Sequence, residues 1–589
     1  MDKPVDIDKL VHKRKIQSSL FSAEQVRELD RIVIGEFGIS GYELMQRAGL
    51  FSYDTLTQRW PNVTDICVFC GSGNNAGDGY VLAKLAAKDG YTVSVVNCFD
   101  PEKLKGDAKR VYQDLLAANV EPLDEKIKDI WDILRLTEKF RRSEKYYDFG
   151  ERGELVFVDA IFGTGLKRNI DDDYLLNLIE GINGSQYPVL SIDIPSGLNA
   201  DTGSVMGIAV RASVTTTFMG AKKGMLTNDG PDCSGKIAFS TLDIPIQSYE
   251  SLFNELGEPH ACILGLTNYI PARGKPLVGE DSMEMFLEPR QRNSHKGHFG
   301  HALIIGGDEG YLGAAQLAAQ AAMRVGAGLV SVATRKSHAA QLSIGVPEIM
   351  CHGVETLDEL MPLIKRANVI AIGPGLGQSE WAKLLFARVL ESDLPIIIDA
   401  DALNLLSEEE QSLSNWVITP HPGEASRLLK TDVNTIQSDR FQSAKMLHEK
   451  YQGPVVLKGC GSIVVDSRGN LFVCDAGNPG MSSGGMGDVL TGVIAGLVAQ
   501  GIEMDEETLM GFEAIHIHNT DVIGAATKFG VLMHAYAADL AARELQRGLM
   551  ATDLMPYLRE LANYSSWDPS QDEFCEDDWE FINDYRKRH

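Results

Sequence analysis

The sequence predicts an α/β chain of two domains, each a mostly parallel sheet layered between helices. Two observations carry this. Short apolar runs recur, each running into a polar loop that contains glycine, and helical patterns alternate with them. The rhythm occurs twice, over residues 1–245 and again over 286–563, separated by a stretch in which Pro and Gly recur and periodicity is poor. Residues 246–285 are therefore expected to be a linker region, and residues 564–589 an acidic tail.

In the first domain, DICVFC (65–70) reads as a buried strand, followed by a Gly-rich turn, a helix through YVLAKLAAKDG and a strand in YTVSVVNC. That is a β–turn–α–β unit of a parallel sheet. LVFVDAIFGTG (155–165) and YPVLSIDIPSG (187–197) are two further strands whose carboxyl ends run into polar loops, the places where α/β sheets gather functional residues. Residues 122–150 are charged and helix-prone, and read as a surface insertion. The second domain repeats the pattern. HALIIGG is a strand, LGAAQLAAQAAMRVGAG a helix and LVSVAT a strand. Strand-like runs follow in NVIAIGPGLG, LPIIIDADAL, WVITPHPGE, GPVVLKGCGS and NLFVCDAGNPG. The last leads to MSSGGMGDVLTGVIAGLVAQG, a Gly-rich loop that opens a small-residue helix.

The chain has 589 residues and a formal charge of −27, which argues against nucleic acid and anionic membrane surfaces as partners. Phosphorylated ligands remain open, because backbone N–H groups bind phosphate in an acidic protein. The nine cysteines form no dense framework. Cys67 and Cys70 lie three apart on a predicted strand and point to opposite faces, so they cannot share a metal. Structural thiols in a reducing compartment are expected. The N-terminus lacks an apolar signal-peptide core and no run reaches about 18 apolar residues, so the expectation is a soluble cytoplasmic protein. The tail from Asp568 to Asp584 carries eight acidic residues and no Lys or Arg, and is expected to be peripheral.

Several motifs carry chemistry. In CGSGNNAGDGYVLAKL (70–85), Gly71, Gly73 and Ala76 fit the dinucleotide fingerprint, but Asn74, Asn75 and Asp78 exceed what a nicotinamide clamp needs. With Asp159, Asp193 and Ser196, also at strand ends, their oxygens suit a hard ion such as K+ or Mg2+; the plainer reading is a set of Asx turns. In SSGGMGDVLTG (482–492), Gly484, Gly485 and Gly487 let amides converge at a helix N-terminus, a phosphate cradle without a Walker lysine. Asp488 is placed to deprotonate a hydroxyl facing that phosphate, or merely caps the helix. Lys458 in KGCGS (458–462) meets a phosphate or is a solvated strand-end lysine. His421 in PHPGE is a ligand contact or a turn histidine, and Glu424 a helix N-terminal charge. HIHN near residue 516 diverges on a helix and is no metal pair.

These strings carry a resemblance. GNNAGDGYVLAKLAAKDGYTVSVV, DAIFGTGLKRNI, SIDIPSGLNADTG and TFMGAKKGML resemble the NAD(P)HX epimerase domain of YjeF N-terminal type. SHKGHFGHALIIGGDEGYLGAAQLAAQAAMRVGAGLVSVAT, GPGLG, DADALNLL, TPHPGEASRLL and GNPGMSSGGMGDVLTG resemble ADP-dependent NAD(P)HX dehydratase. The resemblance implies an N-terminal Rossmann-like three-layer sandwich and a C-terminal ribokinase-like three-layer sandwich. It implies a bifunctional isomerase and lyase that repairs hydrated NADH and NADPH. The first domain would interconvert R- and S-NAD(P)HX. The second would dehydrate the S form, with ADP turning the hydroxyl into a phosphate leaving group.

Carried over by position, the resemblance puts the epimerase substrate on Asn74, Asn75, Ala76, Gly77 and Asp78, on Gly163, Thr164, Gly165, Leu166, Lys167, Arg168 and Asn169, and on Asp193. It puts K+ on Asn75, Asp159 and Ser196. In the second domain it puts the hydrate on Gly375, His421 and Asp488. ADP falls on Lys458, Gly459, Cys460, Gly461 and Ser462, with Gly484, Gly485 and Gly487 holding the transferring phosphoryl group. Asp488 is the expected base for phosphorylation and Asp193 the expected acid–base group for epimerisation. Mg2+, a homo-oligomeric state and ADP over ATP rest on the resemblance alone. Two positions depart from the pattern: the second glycine pair of the first loop reads Ala76-Gly77, and Met486 replaces a small polar residue where it would crowd or seal the phosphate site.

Three other readings stay open. A ribokinase-like kinase releasing a stable phosphorylated product shares the G-x-G-D chemistry. A scaffold role for the first domain is countered by intact Asp159 and Asp193. A dehydrogenase needs a ribose-binding acid about 20 residues past the loop, and only Asp100 is near, somewhat late.

Overall fold

The computed structural model describes residues 16, 18–123, 154–264, 269–271, 290–501 and 521–563, with positions 186, 260, 410 and 544 excepted. All but the first two residues of the expected insertion, the His-x-His at 516–518 and the acidic tail lie outside the described residues. The chain divides into two compact units near Cys262.

The first unit is built on a parallel sheet. Its strands are β1 (Val63–Cys70), β2 (Thr92–Asn97), β3 (Glu154–Ala160), β4 (Val189–Ile192), β5 (Val214–Phe218), β6 (Lys236–Ser240) and β7 (Tyr269–Pro271), in spatial order β2-β1-β3-β4-β5-β6-β7. The order reverses between β1 and β3, which opens a crevice at their carboxyl ends. Helices α1 (Ala23–Glu36), α2 (Gly41–Arg59), α3 (Asn74–Lys88) and α4 (Asp173–Gly184) belong to this unit. Cys67 and Phe69 of β1 share a core with Leu175, Leu178 and Ile182 of α4. A Cβ on Gly79 of α3 would instead meet Val68 and Cys70. The two thiols thus face opposite layers, and burial pushes both well above the ordinary thiol range. A Cβ on Gly71 would sit 1.8 Å from the Ile161 carbonyl, so only glycine lets the turn after β1 pass so close to the end of β3.

The stretch expected to be linker opens as a helix of the first unit, α5 (Gln247–Leu256). Tyr249 on α5 is buried and donates to the Met219 carbonyl at 2.6 Å. Its amphipathic face was hidden in sequence by the short length of the run.

In the second unit the strands are β8 (His301–Ile305), β9 (Leu329–Thr334), β10 (Met350–Gly353), β11 (Val369–Ile372), β12 (Ile396–Ile398), β13 (Trp416–Ile418), β14 (Val455–Leu457), β15 (Ser462–Val465) and β16 (Leu471–Cys474). Their order is β10-β9-β8-β11-β12-β13-β14-β15-β16, parallel through β14 and antiparallel beyond it. The reversal lies between β8 and β11. Helices α6 (Leu312–Arg324), α7 (Ala400–Glu408), α8 (Pro422–Leu428), α9 (Met486–Gly501) and α10 (Val522–Ala541) position the site. A Cβ on Gly492 would lie 1.9 Å from the Ala318 carbonyl, so α9 packs almost backbone to backbone on α6. That contact explains the small residues of α9 and fixes where its N-terminus points. Among the described residues no helix is long and apolar enough to cross a membrane.

Candidate functional sites

In the first unit, the site grows from the β1–β3 crevice and the neighbouring end of β4. Asp159, at the end of β3, is fully buried. It accepts hydrogen bonds from the Ser196 amide at 2.8 Å, the Ser196 hydroxyl at 2.5 Å, the Ser191 hydroxyl at 2.8 Å and the Ile161 amide at 3.3 Å. Burial raises its pKa despite those donors. The Ser196 hydroxyl also accepts from the Phe162 amide at 2.8 Å, so Asp159 ties the loops after β3 and β4 together.

Asn75, in the first turn of α3, is buried, and neither its side-chain oxygen nor its nitrogen has a hydrogen-bond partner. An orphaned buried amide costs stability unless a ligand satisfies it. A Cβ built on Gly163 would meet both Asp193 Oδ2, at 3.0 Å, and Asn75 Cβ, at 3.5 Å, so these side chains flank one glycine. The donor set of Asn75, Asp159 and Ser196 is all oxygen and fits a hard ion such as K+.

Asp193 follows β4 with φ 67°, and the Ile194 amide donates to the Ile192 carbonyl at 2.8 Å, a tight three-residue turn. Its Oδ1 pairs with Lys222 Nζ at 2.5 Å, and its Oδ2 accepts from the Thr164 amide at 3.2 Å. Asp30 of α1 and Asp78 of α3 complete the electrostatics. Burial, then the Asp193 charge, pushes Asp30 up to about 6, eased by Lys222. Asp78 is raised well above the carboxylate range by burial, Asp193 and Asp30.

The remaining expected residues divide. Ala76 and Gly77 are buried, and a Cβ on Gly77 would meet Met45 Sδ at 2.3 Å, so they face helix packing and reach a ligand only through backbone. Lys167, Arg168 and Asn169 are exposed on the loop after β3, beyond Gly165 and Leu166.

In the second unit, the centre is Asp399, which directly follows β12 and is buried. Its Oδ1 accepts from Lys458 Nζ at 2.7 Å and from Thr419 Oγ1 at 2.8 Å, and its Oδ2 from Thr491 Oγ1 of α9 at 2.7 Å. Lys458, just past β14, also lies 3.8 Å from Glu424. Burial opposes the lysine's charge, but Asp399, Glu424 and Asp488 outweigh it and hold its pKa above the ordinary value. A Cβ on Gly487 would be 3.3 Å from Lys458 Nζ and 3.7 Å from Asp399 Oδ2, so the Gly-rich helix start and the lysine converge.

Three carboxylates share that one lysine. Asp488, in the first turn of α9, is pushed up to about 7 by burial and by Asp399, with Lys458 working the other way. Burial pushes Glu424 up to about 7 as well. His421 caps α8: its Nδ1 accepts from the Gly423 amide at 2.9 Å, and its backbone N–H donates to Glu424 Oε2 at 2.8 Å. Burial, then Lys458 and Arg427, lowers its pKa, so the ring is neutral and carries its proton on Nε2. It is the turn histidine, and its Nε2 lies 3.4 Å from Glu424 Oε1. Gly375, after β11, has φ 57°, and a Cβ there would meet the Tyr311 carbonyl at 2.6 Å.

The Lys458–Ser462 loop closes over a buried arginine. Arg440 donates to the Leu457 and Lys458 carbonyls at 3.2 and 3.3 Å, and a Cβ on Gly459 would strike its guanidinium at 2.7 Å. Cys460 is exposed on that loop, next to Gly461. Ser462 closes it by accepting from the Gly459 amide at 3.2 Å. Gly484 has open space around it and Gly485 takes φ 92°. The Met486 side chain is buried in the helical core with Val489 and Met533.

Sequence reasoning missed Asp399, Lys222, Asp30 and Arg440, and took Glu424 only as a helix charge. Asp399 and Lys222 stood inside recognised strings, DADALNLL and TFMGAKKGML, and the signal was a charged residue directly after an apolar run.

Residues 302–560 match the family profile described as NAD(P)H-hydrate dehydratase, and residues 41–224 match that of the YjeF-related protein N-terminus. A Coxiella burnetii protein named bifunctional NAD(P)H-hydrate repair enzyme Nnr is 42% identical over 92% of this chain and 99% of its own length. The chain belongs to the bifunctional NAD(P)H-hydrate repair enzyme family. An Escherichia coli member of the same name is 36% identical, over 95% of this chain and 96% of that protein. A solved Bacillus subtilis ADP/ATP-dependent NAD(P)H-hydrate dehydratase, co-crystallised with ATP and Mg2+, is 29% identical, covers 48% of this chain and 96% of its own, and has a TM-score of 0.40. Family membership sets aside the plain kinase and dehydrogenase readings.

Proposed function

We propose that this chain epimerises R- and S-NAD(P)HX in its first unit and dehydrates S-NAD(P)HX in its second, converting ADP to AMP and phosphate. The observation that supports the dehydratase half most is Asp488. A carboxyl pushed up to about 7 stands at the start of α9, beside an Asp399–Lys458 pair and a glycine that leaves room for phosphate.

In this reading the hydrate's hydroxyl lies against Asp488, with the neutral His421 Nε2–H and the Gly375 backbone orienting the ring. Asp488 takes the hydroxyl proton as the oxygen attacks the β-phosphorus of ADP, and AMP departs. The ring carbon now carries phosphate. Loss of that phosphate and of a neighbouring ring proton restores the double bond of NAD(P)H. Lys458 and the amides of Gly484, Gly485 and Gly487 hold the charge that builds on the transferring group. The Lys458–Ser462 loop, braced by Arg440, receives the nucleotide. Mg2+ would bind through the phosphates and a carboxylate, for which Glu424 would serve, and would shield phosphate charge.

In the first unit, Asp193 does the acid–base work at the hydroxyl-bearing carbon, against the loops of residues 74–78 and 163–169. Asn75, Asp159 and Ser196 would hold K+, which supplies a fixed positive charge to the crevice. A homo-oligomer in the cytoplasm, acting on both NADHX and NADPHX, completes the reading.

The test is an R/S mixture of NADHX, which lacks the near-ultraviolet absorbance of NADH, incubated with enzyme, Mg2+, K+ and either ADP or ATP. Full return of absorbance with phosphate release is the expected result. Recovery of the S form alone removes the epimerase assignment. No recovery with either donor removes both.

A further inference from the structure

Lys222 is a charge buried completely within the first unit, and nothing in the proposed chemistry so far requires it. It follows β5 in the short strand Ala221–Lys222, which pairs with Leu20 and Phe21. Its ammonium has three N–H bonds and three acceptors: Asp193 Oδ1 at 2.5 Å, Thr217 Oγ1 at 2.8 Å and the Phe218 carbonyl at 3.3 Å. The head group therefore has one orientation. Two of its acceptors belong to the sheet, and the third is the proposed acid–base group.

We infer that Lys222 is the positioning residue of the epimerisation site, clamping Asp193 Oδ1 so that Oδ2 alone is presented to the crevice. The inference rests on the reading of Asp193 given above. Three further observations support it. Asp193 sits at φ 67°, where a non-glycine residue persists only if its surroundings hold it. Its Oδ2 lies beside Gly163 and the Thr164 amide, on the loop expected to bind substrate. The Asp193 side chain is 18% exposed while Lys222 is 0% exposed, so the clamp comes from inside and part of the Asp193 side chain still reaches the surface. The titratable groups that interact with Asp193 are Lys222 from the short strand after β5, Asp30 from α1 and Asp78 from α3. One cation among three carboxylates must choose, and the geometry gives it to Asp193.

A purely structural lysine would instead serve folding, and its loss would lower the amount of active protein without changing how that protein works. The experiment uses the full chain and measures R-to-S conversion from pure R-NADHX, with dehydration of pure S-NADHX as the internal control of folding. For Lys222→Met, kcat of epimerisation is expected to fall about 100-fold, the size of a misplaced reacting group, with KM within about threefold. Dehydration stays unchanged. Lys222→Arg, which keeps the charge, recovers most of the lost kcat. An epimerisation kcat within about twofold of wild type overturns the inference, as does a rise in KM alone. If Lys222→Met fails to fold, Thr217→Val decides: loss of one clamp acceptor lowers kcat about three- to tenfold at constant KM, and an unchanged kcat overturns the inference. Asp193→Asn separates the two levels. A fully active Asp193→Asn removes the reading of Asp193 itself, whereas an inactive Asp193→Asn beside an active Lys222→Met removes only the role of Lys222.

Discussion

The two units each pair a lysine with an aspartate that directly follows a strand, yet the pairs differ in burial and in partner. Lys222 is 0% exposed, bonded to sheet atoms, and holds Asp193, the residue proposed to do chemistry. Lys458 is 20% exposed, hangs from a loop, and holds Asp399, which is itself saturated by Thr419 and Thr491. Both aspartates adjoin strained backbone, φ 67° at Asp193 and φ 47° at Ala400. The difference teaches that one ion pair serves two tasks. A sealed lysine fixes the direction of a carboxylate. A partly exposed lysine, surrounded by more carboxylates than it can neutralise, leaves Asp488 and Glu424 pushed up to about 7.

The largest expected effect that tests this contrast is Asp488→Ala. Dehydration should fall about 10³- to 10⁴-fold, while R-to-S conversion stays within about twofold of wild type. Loss of both activities in a folded variant would refute the two-site arrangement. Next is Lys458→Met, for which kcat/KM toward ADP should drop about 10²- to 10³-fold without change in epimerisation, as steady-state kinetics on each epimer will show. An equal loss in both reactions would mean that the pair supports the whole chain.

Asn75→Ala should slow epimerisation about 10- to 100-fold and make the residual rate indifferent to replacing K+ by a bulky organic cation. Retained K+ dependence would move the ion elsewhere. The mildest effect is on pH. Asp488 acts as a base only when ionised, and burial has raised its pKa to about 7, so kcat/KM for dehydration should fall with falling pH, nearing about tenfold per unit well below pH 7. A profile flat from pH 5 to about pH 8 would show that Asp488 is not the titrating base.

Much of the fold was legible because its signals are local. DICVFC, HALIIGG and LPIIID are buried strands by composition, and the small residues of α9 announce close helix packing before any partner is known. The G-x-G-D string lets a cradle and a base be proposed together, since glycines and carboxylate are adjacent in the chain. Strands β5, β6 and β10 were not read: VTTTF is rich in threonine, and MCHG carries no alternation, so tertiary burial rather than pattern decides them. The role of α5 was missed for a similar reason, because a short run between glycines and prolines looks like linker until Tyr249 finds the Met219 carbonyl.

What the sequence determined by itself is therefore the pair of α/β units, an oxygen-rich loop in one, and a Gly-rich helix start with its aspartate in the other. What only the tertiary structure decided is the electrostatic pairing. Lys458 meets Asp399 across 59 residues of chain, Lys222 meets Asp193 across 29, and Asp159 meets Ser196 across 37. Such pairs are set by which strands lie side by side in the sheet and by burial at their carboxyl ends. Neither quantity has a period or a spacing that a sequence can display.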